Sequence, residues 1–453
     1  MLESTDLTSP TELFPAARRM DRKIILHVGP TNSGKTYSAL SRFENCASGL
    51  YCGPLRLLAH EIYDKMNRKG VPCNLLTGEE RRESDDVDLY SATVEMAPLN
   101  RIYDVAIIDE IQMINDEHRG WAWTQALLGL QAREIHLCGE STVVDLIKRI
   151  CASIGEDVEV NQYNRLTSLH LSPSLDGQFG NVKKGDAVVT FSRRNIFAVK
   201  KHIEESTGFK CAVIYGSLPP ETRAEQARLF NEPGSGFDVL VASDAIGMGL
   251  NLNIKRIVFE RLTKFDGEVS RYLSVSQVKQ IAGRAGRFGT EHPEGYVCAL
   301  DDIDHERLKY YMNADLPLVE TAGLLPTLEQ VEEFSNKFPS MGFTSLLERY
   351  EDLSRLDGDY FLCNLRNQKE VATLLENKPL ELRDRFIFTN APHSVDGGFA
   401  DKCMMLFVDA FIERRECPID QKIVLPRQPP ATIEALRVIE GMHKIITLYL
   451  WLR

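Results

Sequence analysis

The chain has 453 residues, too many for one small core and suited to about two to four domains, each able to bury an interior. Hydrophobic residues make up 43% and charged residues 26%, which excludes wholesale disorder, and the apolar runs stop short of the ~20 residues that a bilayer span needs. A net charge of −12 excludes broad electrostatic wrapping of nucleic acid, so any polynucleotide must be held in a local groove.

Residues 1–22 form an N-terminal extension in which Arg18 and Arg19 are offset by Glu3, Asp6 and Glu12. This lacks the acid-poor, Arg-rich character of a transit peptide, so an organellar protein would be read here in trimmed or mature form. The ten cysteines are scattered without a C-x-x-C pair, which supports neither a zinc site nor a disulfide framework. Reduced thiols in an intracellular compartment are the expected state.

Ile24 to Val28 is a short apolar run that reads as a buried strand, and Tyr37 to Phe43 can start a helix. Between them Gly29-Pro30-Thr31-Asn32-Ser33-Gly34-Lys35-Thr36 is a complete phosphate-binding loop, G-x-x-x-x-G-K-[ST]. Its backbone N–H groups would curl around phosphate at a helix N-terminus, Lys35 would reach the β- and γ-phosphates, and Thr36 would ligate Mg²⁺. Further strands are expected at Gly49 to Cys52, Asp88 to Ser91, Val105 to Asp109 and Glu134 to Cys138, with helices between, the pattern of a doubly wound parallel sheet over 23–166. Asp109-Glu110-Ile111-Gln112 closes one of these strands, expected to lie next to the one bearing the phosphate loop. Asp109 would hold the metal through water, and Glu110 would take the proton of the water attacking the γ-phosphate.

A second α/β domain over 167–316 is expected from strands at Ala187 to Phe191, Lys210 to Ile214, Asp238 to Ala242, Arg256 to Phe259 and Gly295 to Ala299. The loop carrying Pro173, Gly177 and Gly180 is a candidate linker, and Phe259 to Ser276, with a turn at Asp266-Gly267, a candidate hairpin. Gln280-Ile281-Ala282-Gly283-Arg284-Ala285-Gly286-Arg287 puts two arginines three apart, on one face if the segment is helical, a spacing suited to a triphosphate. Arg284 and Arg287 are candidate arginine fingers, and Gln280 a contact for the γ-phosphate or its attacking water. Gly283 and Gly286 are poor helix formers whose presence implies close backbone packing. Beyond Pro317 helical periodicity takes over: Thr327 to Gln330 has capping-box spacing, and Ile433, Leu436, Ile439, Met442, Ile446 and Tyr449 form an apolar stripe expected to be core. Residues 317–453 are thus expected to be a helical C-terminal domain.

The phosphate loop, Asp109 to Gln112 and Q-x-x-G-R-x-G-R resemble motifs I, II and VI of a superfamily-two helicase, DExH/D-type and Ski-like. GPTNSGKT, GPLRLLAHEIY, TGEER, DEIQM, RGWAWTQALLGL, YGSLPPETR and QIAGRAGRFG together resemble the Suv helicase family of the mitochondrial degradosome, from about Ile24 to the last residue. The resemblance implies two RecA-like domains, ATP and possibly other NTPs with Mg²⁺ as cofactors, and single-stranded RNA with a 3′ tail as substrate. It implies RNA contacts at Pro54, Arg56, Thr77, Gly78 and Thr93 on the first domain and Ser192, Arg193 and Ser243 on the second, with Gly249 of the segment Ser243 to Asn251, which resembles motif V, beside the nucleotide. It also implies 3′-to-5′ movement, an exoribonuclease partner, a monomer within a heteromeric complex and the mitochondrial matrix. Gly139-Glu140 stands where the superfamily carries Ser-Ala-Thr, and no adenine-reading glutamine motif precedes Gly29, which suits relaxed nucleotide choice. A DNA or RNA/DNA-hybrid translocase and a catalytically silent RNA-binding scaffold are the alternative readings.

Overall fold

Strand Gly49–Gly53 is buried along its whole length, as a parallel strand is when helices cover both faces of its sheet. Alternate side chains feed two cores. Leu50 and Cys52 join Ile24, Leu26, Val28 and Trp123 on one face, and Tyr51 joins Ala39, Phe43, Ile62 and Met66 on the other. The computed structural model describes residues 5–453 apart from 248, 250, 266–268, 420–422, 427–429 and 431, and of residues 193, 194 and 433 the backbone only.

The first sheet has eight strands in the order Arg81–Arg82, Asn74–Leu76, Leu89–Thr93, Gly49–Gly53, Ile102–Ile108, Gln131–Gly139, Lys23–Val28, Val158–Gln162, with only the first antiparallel. The strand that leads to Asp109 therefore does not neighbour the phosphate-loop strand, contrary to expectation. Gln131–Gly139 lies between them, pairing with Lys23–Val28 on one side and Ile102–Ile108 on the other. Long crossover connections let a later strand insert between earlier ones, so chain order leaves neighbour order open.

The second sheet has six parallel strands in the order Leu169–Leu171, Gly295–Ala299, Arg256–Phe259, Asp186–Val189, Phe237–Ala242, Lys210–Ile214. Because Leu169–Leu171 already pairs with Gly295–Val297, the chain crosses between the sheets at 163–168, ahead of the segment carrying Pro173, Gly177 and Gly180. The candidate hairpin is present as Thr263–Phe265 paired antiparallel with Ser270–Tyr272; its turn at Asp266-Gly267 lies outside the described residues.

In the C-terminal region, helices Leu328–Lys337 and Phe343–Leu353 bury Val331, Phe334, Leu346 and Tyr350 in the core of the first sheet. The first of them starts on a reciprocal Thr327–Gln330 capping box. Helices Arg366–Leu374, Leu382–Thr389, Phe399–Ile412 and Ile433–Leu452 share a separate core. Short strands also occur here: Ala322–Leu324 pairs with Tyr360–Leu362, and Arg355–Leu356 with Asp6–Leu7 of the N-terminal extension. On the last helix the deepest apolar residues are Ile445 and Leu448, while Leu436, Ile439, Met442, Ile446 and Tyr449 are half-buried. The expected stripe is offset because the helix spans two surfaces: Leu436 packs on the second sheet's core, and Met442, Ile446 and Tyr449 on the helical core. Among the described residues no helix is long and apolar enough to cross a membrane.

Candidate nucleotide site and nucleic-acid cavity

The loop from Gly29 to Thr36 joins strand Lys23–Val28 to helix Lys35–Glu44. Gly34 has a left-handed φ of 81°, a conformation a side chain disfavours, and a Cβ on Gly29 would lie 2.6 Å from the Tyr163 carbonyl oxygen. Lys35 is buried, and its Nζ donates to the Gly29 carbonyl at 3.1 Å and the Pro30 carbonyl at 3.4 Å. The Ser33 hydroxyl is buried without a hydrogen-bond partner among the described residues. A cation that bonds the carbonyls of its own loop and an orphaned hydroxyl beside a helix start that no side chain caps make a cradle that fits a triphosphate.

Across the intervening strand, the Thr36 hydroxyl donates to Asp109 Oδ1 at 3.3 Å, and the Tyr51 hydroxyl donates to Asp109 Oδ2 at 2.9 Å. The gap is kept open by Gly139, where a Cβ would lie 2.5 Å from Gln112 Oε1 and 2.7 Å from Ile111 Cγ2. Burial, and then the charge of Glu110, push the Asp109 carboxyl up to about 6, against the pull of Tyr51 and Lys35. A buried carboxylate and a hydroxyl at this spacing suit a hard divalent cation, which would relieve that penalty. Glu110 has a left-handed φ of 50°, a costly conformation that aims it away from the strand, and its carboxylate accepts from the Gln112 amide. The Trp123 indole N–H donates to the Asp109 carbonyl at 3.0 Å and anchors the backbone behind the acid.

The second domain contributes Gln280 to Arg287, with one correction. Helix Val275–Ala282 ends before the arginines, so Arg284 and Arg287 stand on a loop and not on one helical face. Gly283 caps the helix and Gly286 takes a left-handed φ that no helix contains, both at closely packed points. A Cβ on Gly283 would sit 2.9 Å from Thr31 Cβ, and one on Gly286, whose φ is 68°, 2.3 Å from the Gly295 nitrogen. Close approach was the right reading of the two glycines, and helix the wrong reading of their neighbours. Arg284 Nε donates to the Gly247 carbonyl at 3.0 Å, and Arg287 donates to the Asn251 carboxamide. Burial lowers the Arg284 pKa, while nearby Glu110, Asp109 and Glu61 act in the opposite direction. Gln280 is half-buried beside Gly247. Gly249 packs against Leu55 and Leu58 of the first domain, on the wall of a separate interdomain cleft of about 650 Å³.

Four of the expected RNA contacts, Pro54, Arg56, Gly78 and Thr93, line one cavity of about 1510 Å³ between the first domain and the C-terminal region. Trp451 of the last helix covers it, with its indole 3.4 Å from where a Gly78 Cβ would be. Thr77 lies behind the wall, its hydroxyl accepting from the Glu80 N–H at 3.0 Å and bracing the turn that presents Gly78. Arg56 pairs with Glu79. Ser192 and the buried Ser243 follow strands of the second sheet and do not line this cavity; the Arg193 side chain lies outside the described residues. Arg119 was missed from sequence: it bonds Glu95 at 2.7 Å and the Pro54 carbonyl at 2.6 Å, and stacks on Trp123. Tyr51, Trp123 and Trp451 were missed too, since nothing local marks an aromatic residue as facing a site.

Behind the phosphate loop, His27 bonds the Tyr163 hydroxyl through Nδ1 and His136 through Nε2, both at 2.9 Å. Burial, and then the adjacent imidazole, lower the His27 pKa to about 4. The unfolded chain thus takes up this proton near pH 6.5 and the folded chain only near 4. The stabilisation is fully present above pH 6.5 and is lost as pH falls toward 4, by about 3 kcal/mol in total at ~1.4 kcal/mol per unit. Asp109, with its raised pKa, acts in the opposite sense, so the measurement is a difference: urea midpoints of parent and His27→Gln should converge between pH 7 and 4.5. A constant gap would mean that His27 is not buried neutral.

Residues 10–163 match the DEXQ-box helicase domain of Suv3, and residues 164–289 the helicase conserved C-terminal domain. The chain is 46% identical to the mitochondrial DExH-box ATP-dependent RNA helicase DExH18 of Arabidopsis thaliana, covering 100% of this chain and 58% of that one. It is 44% identical to the mitochondrial DExH16 of the same plant, covering 99% of this chain and 79% of that one, and 44% identical to the mitochondrial ATP-dependent RNA helicase SUPV3L1 of Homo sapiens, covering 99% and 58%. It thus spans about three-fifths of two of these relatives. Among solved structures, the Escherichia coli DEAH/RHA helicase HrpB aligns over 97% of this chain and 60% of that one, with a TM-score of 0.53 and 12% identity, a likeness of fold alone. The tandem RecA-like sheets, the DEIQ segment and 44–46% identity over 99–100% of this chain mean that the chain belongs to the Suv3 family of superfamily-two ATP-dependent RNA helicases.

Proposed function

We propose that the protein hydrolyses ATP to move 3′-to-5′ along single-stranded RNA and open duplexes, delivering strands to an exoribonuclease in the mitochondrial matrix as part of a heteromeric complex. The observation that carries the reading is the meeting of two half-sites: the Asn32 amide of the phosphate loop donates to the Gly283 carbonyl at 3.1 Å and the Gly286 carbonyl at 2.8 Å. The segment bearing Arg284 and Arg287 is already seated on the loop that would hold the phosphates. Direction, nuclease partner and compartment rest on the family resemblance and on the mitochondrial names of the relatives.

In this reading the loop N–H groups and Lys35 bind the triphosphate, and Glu110 takes the proton from the attacking water, which Gln280 orients. Thr36 and Asp109 would hold Mg²⁺, which when bound neutralises phosphate charge. Arg284 and Arg287 leave Gly247 and Asn251 to face the charge that develops in the transition state, and Gly249 moves with them. Pro54, Arg56, Gly78 and Thr93 hold the RNA backbone on one side, with Thr77 behind them bracing the turn that presents Gly78, and Ser192 and Arg193 hold it on the second domain, beyond this cavity, with the Ser243 hydroxyl bracing its own turn by accepting from the Ala245 N–H. Such contacts position a strand without reading its sequence.

The test is unwinding of 3′-tailed and 5′-tailed RNA and DNA duplexes side by side with ATP, with Lys35→Ala as control. The 3′-tailed RNA should open with the parent and not with the variant, which loses the charge that compensates the phosphates. Unwinding by the variant would remove Lys35 from the site, and opening of DNA alone would favour the DNA translocase.

A further inference from the structure

The residues that cross between the two domains are zipped to both of them. Tyr163 N–H donates to the Val28 carbonyl at 2.8 Å and Leu166 N–H to the Asn32 carbonyl at 3.0 Å, while the Ser168 carbonyl accepts from Gly295 N–H at 2.9 Å. Arg165 sits between, half-buried. Its Nε donates to the Thr167 carbonyl at 2.9 Å, and its Nη1 to Thr31 of the phosphate loop at 3.2 Å and to Gly283 of the second domain at 2.8 Å. Its Nη2 donates to the carbonyls of Ala285 and, at 3.4 Å, Gly286.

Two features set this arginine apart from a linker staple. Every acceptor is a neutral carbonyl, and among the described residues no carboxylate pairs with it, so burial lowers its pKa without an opposing charge. Even a half-buried cation without a counter-ion is a costly way to tie a linker, which a neutral amide could do. The planar fork, however, can hold several carbonyls in fixed relative positions. Those carbonyls belong to Thr31, in the cradle, and to Gly283, Ala285 and Gly286, which flank Arg284 and precede Arg287.

We infer that Arg165 is a positioning residue that sets the register between the phosphate loop and the arginine loop of the second domain, so that Arg284 and Arg287 are presented to the nucleotide. The inference rests on the ATP-hydrolysing reading above. Asn32, which donates to the Gly283 and Gly286 carbonyls from the other side, completes the same clasp.

The test uses the whole chain as Arg165→Gln and Arg165→Lys, read by RNA-stimulated ATP turnover, KM for ATP, binding of fluorescent ADP and thermal midpoint. Both variants should lose at least tenfold in kcat while KM and ADP affinity change less than threefold, and Lys should not rescue Gln because it keeps the charge and loses the fork. A staple with no part in the reaction would lower the thermal midpoint and leave kcat intact below it. If Arg165→Gln does not fold, Arg165→Lys alone decides. An active parent with either folded variant within twofold of its kcat overturns the inference alone, whereas a parent with no RNA-stimulated hydrolysis overturns it together with the reading on which it rests.

Discussion

Replacing Arg287 with Ala is expected to lower RNA-stimulated ATP turnover by about 10³ to 10⁵, the range for complete loss of an arginine finger. Arg287 lies past the end of helix Val275–Ala282, on a loop locked by the close approach of Gly283 to Thr31 and of Gly286 to Gly295. Its guanidinium is held by Asn251 of its own domain, and burial raises the pKa of Glu61, across the cleft, against the pull of Arg287 and Arg284. Neither Asn251 nor Glu61 belongs to the phosphate loop or to the Thr36–Asp109 pair, so truncation should leave ATP affinity within a few fold while removing charge compensation in the transition state. Arg287→Lys should retain part of the activity, since it keeps the charge but not the fork. Phosphate release at saturating RNA, set beside equilibrium nucleotide binding, makes the comparison. Turnover of the Ala variant within threefold of the parent would remove Arg287 from the reaction.

The second large effect is expected at Glu110. Glu110→Gln should slow the chemical step by about 10² to 10⁴, the usual contribution of a positioned general base. The substitution is nearly isosteric and keeps a partner for Gln112, so nucleotide binding should persist, and the fold with it. It also removes the charge that helps raise the Asp109 pKa, so Asp109 should be more fully ionised and bind a cation at least as well. Unable to hydrolyse, the protein should dwell on RNA when ATP is present. Single-turnover hydrolysis and RNA dissociation followed by fluorescence anisotropy separate the two effects. Dissociation in ATP as fast as from the parent would be decisive against Glu110 as the base.

The sequence by itself determined what local rules govern. Strands such as Lys210–Ile214, Arg256–Phe259 and Gly295–Ala299 begin and end where the expected runs do, because past a charged first residue such as Lys210 or Arg256 the strand is buried and must be apolar. The phosphate loop and the Thr327 capping box were legible for the same reason, since each is one backbone conformation demanding particular residues at fixed spacing.

What distant pairings govern emerges on folding. Strand Gln131–Gly139 separates the two halves of the phosphate and acid site, and Gly139 is small because Gln112 and Ile111 press on it. Arg284 and Arg287 lie beyond the helix, on a loop where Gly286 takes a left-handed φ and where Thr31 and Gly295 leave no room for a Cβ on Gly283 or Gly286. The clasp of Asn32 and Arg165 joins residues up to 254 positions apart in the chain, and the last helix turns its stripe to suit two surfaces at once. Periodicity and turn chemistry are written over a few residues, whereas sheet order, close approach and a hydrogen bond between domains exist only once remote segments have met.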